Sequence, residues 1–310
     1  MVEPGKKKVR PIRSANSTEM TDQQLDAPTP KVRKIKKAFN GLAPKEWTLL
    51  SRNVWSDLSS PRHARHLKHG AVFPVKLAER LVKLYSGEGD TIFDPFAGIG
   101  TTLIASSRLN RNSIGIELNP EFCEIAQEWF SEEADLFSTD TSSRTLVNSD
   151  CRKLEEILPP NSIQATITSP PYANFIQRSI NDRTKTHKKS KIVLENNSRV
   201  KQYSINENDF GNLEYGNFLK ESGDLFKKLL NVTKPGGYAI WVVKDYRLPP
   251  NLPYVPMHSD LAQVAQTAGW LWHDLIVWDQ NEQRSLVLLG FPTRFYTNQN
   301  CSFLIVLRKR

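Results

Sequence analysis

Gly98 and Gly100 lie between a short apolar run, Asp90 to Asp94, and a helical stretch from Thr101 to Leu109; the acid Glu117 follows Gly100 by seventeen residues. Glycine removes side chains where a ligand must approach the backbone closely. Strand, glycine turn and helix place a nucleoside-like ligand at the carboxyl edge of a parallel sheet. An acid ending the next strand, Ser113 to Glu117, can accept both hydroxyls of a ribose. The dinucleotide fingerprint Gly-x-Gly-x-x-Gly is absent, because Leu103 stands at its third glycine. Neither Gly-Lys-Ser nor Gly-Lys-Thr occurs, which leaves an ATP-driven reaction without support.

A second chemical signal follows the first by about seventy positions. Ile163 to Thr168 alternates and is rich in β-branched residues, so it reads as a strand delivering Ser169-Pro-Pro-Tyr172 to the same sheet edge. Two consecutive prolines donate no backbone hydrogen bond and fix their own φ. Their carbonyls and the Ser169 hydroxyl form an acceptor set suited to an exocyclic amino group, and Tyr172 offers a face on which a planar base can stack.

Together these residues resemble the amino-methyltransferases of DNA, which move a methyl group from S-adenosylmethionine to N4 of cytosine or N6 of adenine. The likeness runs from about Gly41 to Arg310. It implies an α/β, Rossmann-like class I methyltransferase fold, a seven-stranded mostly parallel sheet flanked by helices. It also implies a donor site made by Asp94, Pro95, Phe96, Gly98, Gly100, Thr101 and Thr102, with Glu117 on the ribose. Asp150 corresponds to the acid near the donor's adenine amine, with Cys151 beside it. Lys68, His69, Phe73 and Pro74 lie in the segment that covers the methionine part, where the family's His-Pro is here His69-Gly70. Ser169, Pro170, Pro171 and Tyr172 correspond to the catalytic motif. Serine at its head is mostly found in N4-cytosine enzymes and aspartate or asparagine in N6-adenine enzymes, so the resemblance favours cytosine, with adenine as the alternative. RNA or a protein amide, and a DNA-binding protein without catalysis, are more distant readings. The donor loop precedes the amine pocket, whereas many serine-type relatives have the reverse order.

An exocyclic amine attacks the methyl group directly, so the enzyme mainly positions and polarises. The target base must leave the duplex stack to be reached. C5 methylation would need a nucleophilic cysteine, typically after proline, but the three cysteines follow Phe122, Asp150 and Asn300. Cys151 reads as a small buried hydrophobe. Unpaired cysteines imply a reducing compartment, cytoplasmic and nucleoid-associated, or nuclear in a eukaryote. No metal spacing, membrane span or signal peptide is expected. DNA is the expected partner, a cognate restriction endonuclease a further candidate, and a monomer the default.

The net charge of +9 is concentrated in two segments. Residues 1–45 carry a net +7, residues 173–210 a net +4, and the rest of the chain a net −2. Residues 1–40 read as a basic, disordered tail and 41–310 as the catalytic domain. The second basic segment forms a long insertion directly after the amine pocket, and an insertion of that length in a compact domain is uncommon without a function. Arg178, Arg183, Lys185, Lys188, Lys189 and Lys191 are therefore expected to contact DNA.

The remaining pattern places helices at Val75 to Tyr85, Tyr215 to Val232 and Ser259 to Ala268. It places a turn at Lys234 to Gly237, and strands at Tyr238 to Val243, Leu271 to Trp278 and Ser302 to Leu307. Trp47, Trp55, Trp241 and Trp278 read as packing groups, and Tyr246 to His258 as a recognition loop. Neutralising the six basic residues between Arg178 and Lys191 should weaken DNA binding and flatten its salt dependence, by a slope of about 0.9 for each phosphate no longer neutralised. A salt titration of DNA affinity checks this, and an unchanged slope contradicts a DNA-contacting role.

Overall fold

Both chemistry-bearing segments emerge from neighbouring parallel strands. The computed structural model describes residues 38–58, 73–136, 142–171, 209–247, 253–283 and 297–310. Their strands are β1 (Val54–Trp55), β2 (Thr91–Asp94), β3 (Asn112–Glu117), β4 (Arg144–Asn148) and β5 (Ile163–Thr168), followed by β6 (Thr233–Val243), β7 (Tyr246–Arg247), β8 (Tyr254–Val255), β9 (Leu271–Asp279) and β10 (Cys301–Arg308). The helices are α1 (Pro44–Leu50), α2 (Val75–Tyr85), α3 (Thr101–Ser107), α4 (Pro120–Leu136), α5 (Leu154–Ile157), α6 (Tyr215–Val232) and α7 (Met257–Thr267).

Eight of these strands form one sheet in the order β1-β9-β10-β6-β5-β2-β3-β4. The run from β6 to β4 is parallel throughout, while β10 is antiparallel to both β6 and β9. This is the Rossmann-like α/β sheet expected from the sequence, with one correction: it has eight strands, not seven. The eighth is β1, which pairs parallel to β9 through Val54↔Val277 and Trp55↔Trp278. Two residues are too few to show a periodicity, which is why the pattern did not reveal it.

Alternation along the strands feeds two cores. Phe93, Ile116, Trp241, Val243, Ile305 and Leu307 face α6 and α7, whereas Ile92, Ala165, Ile167, Ile240, Val242 and Leu304 pack with α2. Helix α2 buries Leu77, Ala78, Leu81, Val82, Leu84 and Tyr85, the stripe expected of a 3.6-residue period. Helix α6 buries Phe218, Leu225, Phe226, Leu229 and Val232 in the same way. Each such side chain stabilises the fold by roughly 1.5–3 kcal/mol relative to exposure.

The turn expected at Lys234 to Gly237 lies inside β6 instead. Ile163 pairs with Thr233 but Ala165 already pairs with Tyr238, so the extra residues bulge out and the strand continues. Gly236 takes φ 77°, and a Cβ on Gly237 would stand 2.7 Å from the Gln164 carbonyl oxygen. Trp241 and Trp278 are buried as expected; Trp47 is not, being 40 % exposed. No helix among the described residues is long and apolar enough to cross a membrane.

Trp55 is buried, its indole N–H donates to the Arg52 carbonyl at 2.6 Å, and the Arg80 guanidinium lies 5.0 Å above its ring. Trp55→Ala should therefore cost about 3–5 kcal/mol of unfolding free energy. Denaturant titration checks the value. A loss below about 1 kcal/mol would mean that β1 is not integral to the sheet.

Candidate active site

Asp94 ends β2 and is 2 % exposed. Its Oδ1 accepts from the Phe96 backbone N–H at 3.0 Å and the Thr168 hydroxyl at 2.6 Å; its Oδ2 accepts from the Thr102 hydroxyl at 2.7 Å. Burial pushes its carboxyl up to about 6, against the three hydrogen bonds that favour the charged form. Its oxygens are engaged with the loop, α3 and β5, so Asp94 organises the root of the site.

The loop from Pro95 to Gly100 is held from the other side by Glu117, the last residue of β3. Gly98 takes φ 53° and Gly100 takes φ 85°. The Gly98 N–H donates to Glu117 Oε2 at 2.7 Å, and the Asn119 N–H to Oε1 at 2.8 Å. Burial raises the Glu117 carboxyl to about 7, those two amides oppose the shift, and the nearby Asp209 and Asp94 add to it. A cofactor with hydroxyls or positive charge suits a buried carboxylate so placed. Thr101 supplies a second observation in the same sense, since its buried hydroxyl has no partner among the described residues.

Gly100 also meets a packing requirement of the fold. A Cβ there would stand 2.7 Å from the ring of Phe130 on α4, so the glycine makes room for the protein's own aromatic side chain. Thr102 likewise serves Asp94 from within α3. Pro95 is buried and Phe96 half-buried, with the Phe96 ring edge-on to Phe210 at 5.1 Å and to Trp241 at 6.1 Å.

Asp150 and Cys151 follow β4. The Asp150 carboxylate accepts from the Arg152 backbone N–H at 2.9 Å and from its guanidinium at 2.8 Å. Arg152 also binds Glu221 at 2.7 Å and covers the Phe210 ring at 4.8 Å. Cys151 is 5 % exposed and belongs to the core with Phe93 and Ile116; burial drives its thiol well above the ordinary value. Its side chain packs into the core beside the site. Arg152, Asp209 and Phe210 were missed by the sequence reading. The one available signal was Asp209-Phe-Gly, where the Asp209 side chain caps a short turn by accepting from the Gly211 N–H at 2.8 Å.

Ser169, Pro170 and Pro171 leave β5 directly after Thr168, whose Cα pairs with that of Trp241. Pro170 is buried, and Ser169 and Pro171 are half-buried. Phe73 packs against the α2-side core, and Pro74 immediately precedes α2. Tyr172, Lys68, His69 and the basic residues Arg178, Arg183, Lys185, Lys188, Lys189 and Lys191 lie outside the described residues. Part of the expected recognition loop is fastened to the sheet. Asp245, just beyond the end of β6, accepts from the Tyr254 hydroxyl at 2.8 Å and the His258 backbone N–H at 3.0 Å, and contacts His258 Nδ1 at 2.7 Å. Cys123, Cys151 and Cys301 are free, and no metal-binding group occurs among the described residues.

Comparison with known proteins gives a match of residues 2–128 to a family model described as DNA methylase. Type II methyltransferase M.MthZI of Methanothermobacter thermautotrophicus is 40% identical over 84 residues, 26% of this chain and 24% of the relative. Orphan methyltransferase M.BamHII of Bacillus amyloliquefaciens is 49% identical over 61 residues, 20% of this chain and 23% of the relative. The chain thus spans about a quarter of the length of the curated relatives it matches. Among solved structures, TrmN from Thermus thermophilus overlaps 82% of this chain and 55% of its own at 14% identity, with a TM-score of 0.44.

Because Glu117 is raised to about 7, it holds a proton in the folded protein below that pH. Affinity for S-adenosylmethionine, measured by calorimetry, should fall as pH drops through 7, and Glu117→Gln should bind weakly at every pH. The same shift means that ionising Glu117 costs the folded state. Its contribution to stability is present below the ordinary carboxylate range and is lost as pH rises through about 7. Wild-type affinity that is flat from pH 5 to pH 8 would contradict a ligand role for the carboxylate.

Proposed function

We propose that the chain, part of which matches a family model described as DNA methylase and parts of type II and orphan methyltransferases, is a DNA amino-methyltransferase that methylates N4 of cytosine, with S-adenosylmethionine as donor. The observation that carries the reading is the adjacency of β2 and β5. Two parallel neighbours deliver the glycine loop and Ser169-Pro170-Pro171 to one edge of the sheet, as a reaction between a bound donor and a bound amine requires.

S-adenosylmethionine supplies a methyl group made electrophilic by its sulfonium. Glu117, oriented by the Gly98 and Asn119 amides, is the acceptor for ribose hydroxyls. Asp150, held in place by Arg152, is the acceptor for the adenine amine. Phe96 and Phe210 supply an aromatic wall beside the loop. The carboxylates of Glu117 and Asp209 give this edge negative charge, which suits a cationic donor.

On the acceptor side, Ser169 and the proline carbonyls hold an exocyclic amine without offering it a competing backbone N–H. Serine at the head of that motif supports cytosine over adenine. The base reaches this edge only after leaving the duplex, and the basic residues between Arg178 and Lys191 are assigned to the surrounding DNA.

Incubation with methyl-tritiated S-adenosylmethionine and unmethylated DNA, RNA or protein tests the substrate class. Label is expected in DNA alone, and Ser169→Ala should lower its incorporation by about 10²-fold or more while leaving donor affinity within a few-fold. Label in RNA or protein, with none in DNA, would overturn the assignment.

A further inference from the structure

Donor loop and amine pocket are separate stretches of chain, and each springs from a strand terminus. Asp94 closes β2 and Thr168 closes β5. Beyond them begin Pro95 to Gly100 on one side and Ser169 to Pro171 on the other. The Thr168 hydroxyl donates to Asp94 at 2.6 Å across that root. We propose that Thr168 is a positioning residue for methyl transfer, a strut that fixes the amine pocket against the donor loop through Asp94. The proposal rests on the methyltransferase reading.

Three features favour this role over simple packing. First, Asp94, Thr102 and Thr168 are all within 2 % of full burial, and a valine would fill the space of either threonine with the hydroxyl replaced by a methyl. Second, no cation pairs with Asp94 among the described residues; its carboxylate accepts from two hydroxyls and one backbone amide. A buried carboxylate without a counter-ion is costly, and a fold that needed only volume here would do better with an apolar residue. Third, the carboxylate bridges the two segments, with one oxygen shared between them. Oδ2 serves Thr102 in α3, on the donor side, and Oδ1 serves both Phe96 in the donor loop and Thr168 at the head of the amine pocket.

The two threonines therefore separate by kinetics. Thr102→Val removes the 2.7 Å support of Asp94 from α3, with a longer 3.4 Å contact to the Ile167 carbonyl of β5, and should weaken S-adenosylmethionine binding. Thr168→Val leaves the donor side held by Thr102 and Phe96, so it should lower kcat by about a hundredfold with donor affinity and DNA KM each within about threefold. Thr168→Ser keeps the hydroxyl and should restore kcat to within a few-fold of wild type. Unchanged kcat in Thr168→Val overturns the proposal. So does an equal loss of donor affinity, which would mean general loosening, or a Thr168→Ser variant as poor as the valine.

Hydrogen exchange read by mass spectrometry decides the same point without turnover. Thr168→Val should speed exchange in peptides covering both residues 93–100 and residues 163–171, and a change confined to the second peptide would show that no strut exists. Wild-type protein inactive on every substrate would sink the methyltransferase reading, while the exchange result would still decide the strut.

Discussion

A buried carboxylate, Asp94, is the constraint on which the rest of the site depends. It ends the central strand of the parallel run, and three short hydrogen bonds tie it to its own loop, to the following helix and to the neighbouring strand. Burial opposes its charge strongly enough to bring its carboxyl to about 6. The surroundings answer with hydroxyls and an amide, and those donors are fixed in direction. An ion pair with a long side chain would hold the charge but not the angle. The cost of keeping Asp94 is thus linked to geometry at the sheet edge, where two loops must meet with little tolerance.

Glu117 repeats the device one strand away. Its carboxylate binds the Gly98 amide, so the loop that starts over Asp94 on β2 is fastened at its middle to β3. Packing completes the frame from below. Phe130 fills the space under Gly100, Cys151 enters the core beside Phe93, and Phe96 rests its edge on Phe210 and Trp241. Little of this scaffold is local in sequence, as Phe210 lies well over a hundred residues beyond Phe96.

That distance explains what could be read from sequence and what could not. Helices α2 and α6 were legible to the residue because their apolar stripes recur at helical spacing, and β5 because its β-branched run stops at Ser169. The glycines of the loop marked a close approach to the backbone, and both also adopt positive φ. Their reasons were hidden. Gly100 yields to a phenyl ring from α4, and Asp94 turns inward to threonines at the ends of two other elements. Lys234 to Gly237 carries turn chemistry, yet the strand resumes after a bulge because β5 and β10 flank it on both sides. Arg152 carried no pattern and Phe210 only the short Asp209-Phe-Gly turn, since their meaning lies in each other and in Asp150.

The proposed reaction is methylation of the exocyclic nitrogen of cytosine by a donor loop and an amine-holding segment brought together on β2 and β5. It is tested most directly by incubating unmethylated DNA with S-adenosylmethionine carrying a deuterated methyl group, digesting to nucleosides and identifying the labelled base by mass spectrometry. Labelled N4-methylcytosine is the expected product. Labelled N6-methyladenine would contradict the choice of base that Ser169 supports, and DNA free of label would contradict the claim itself.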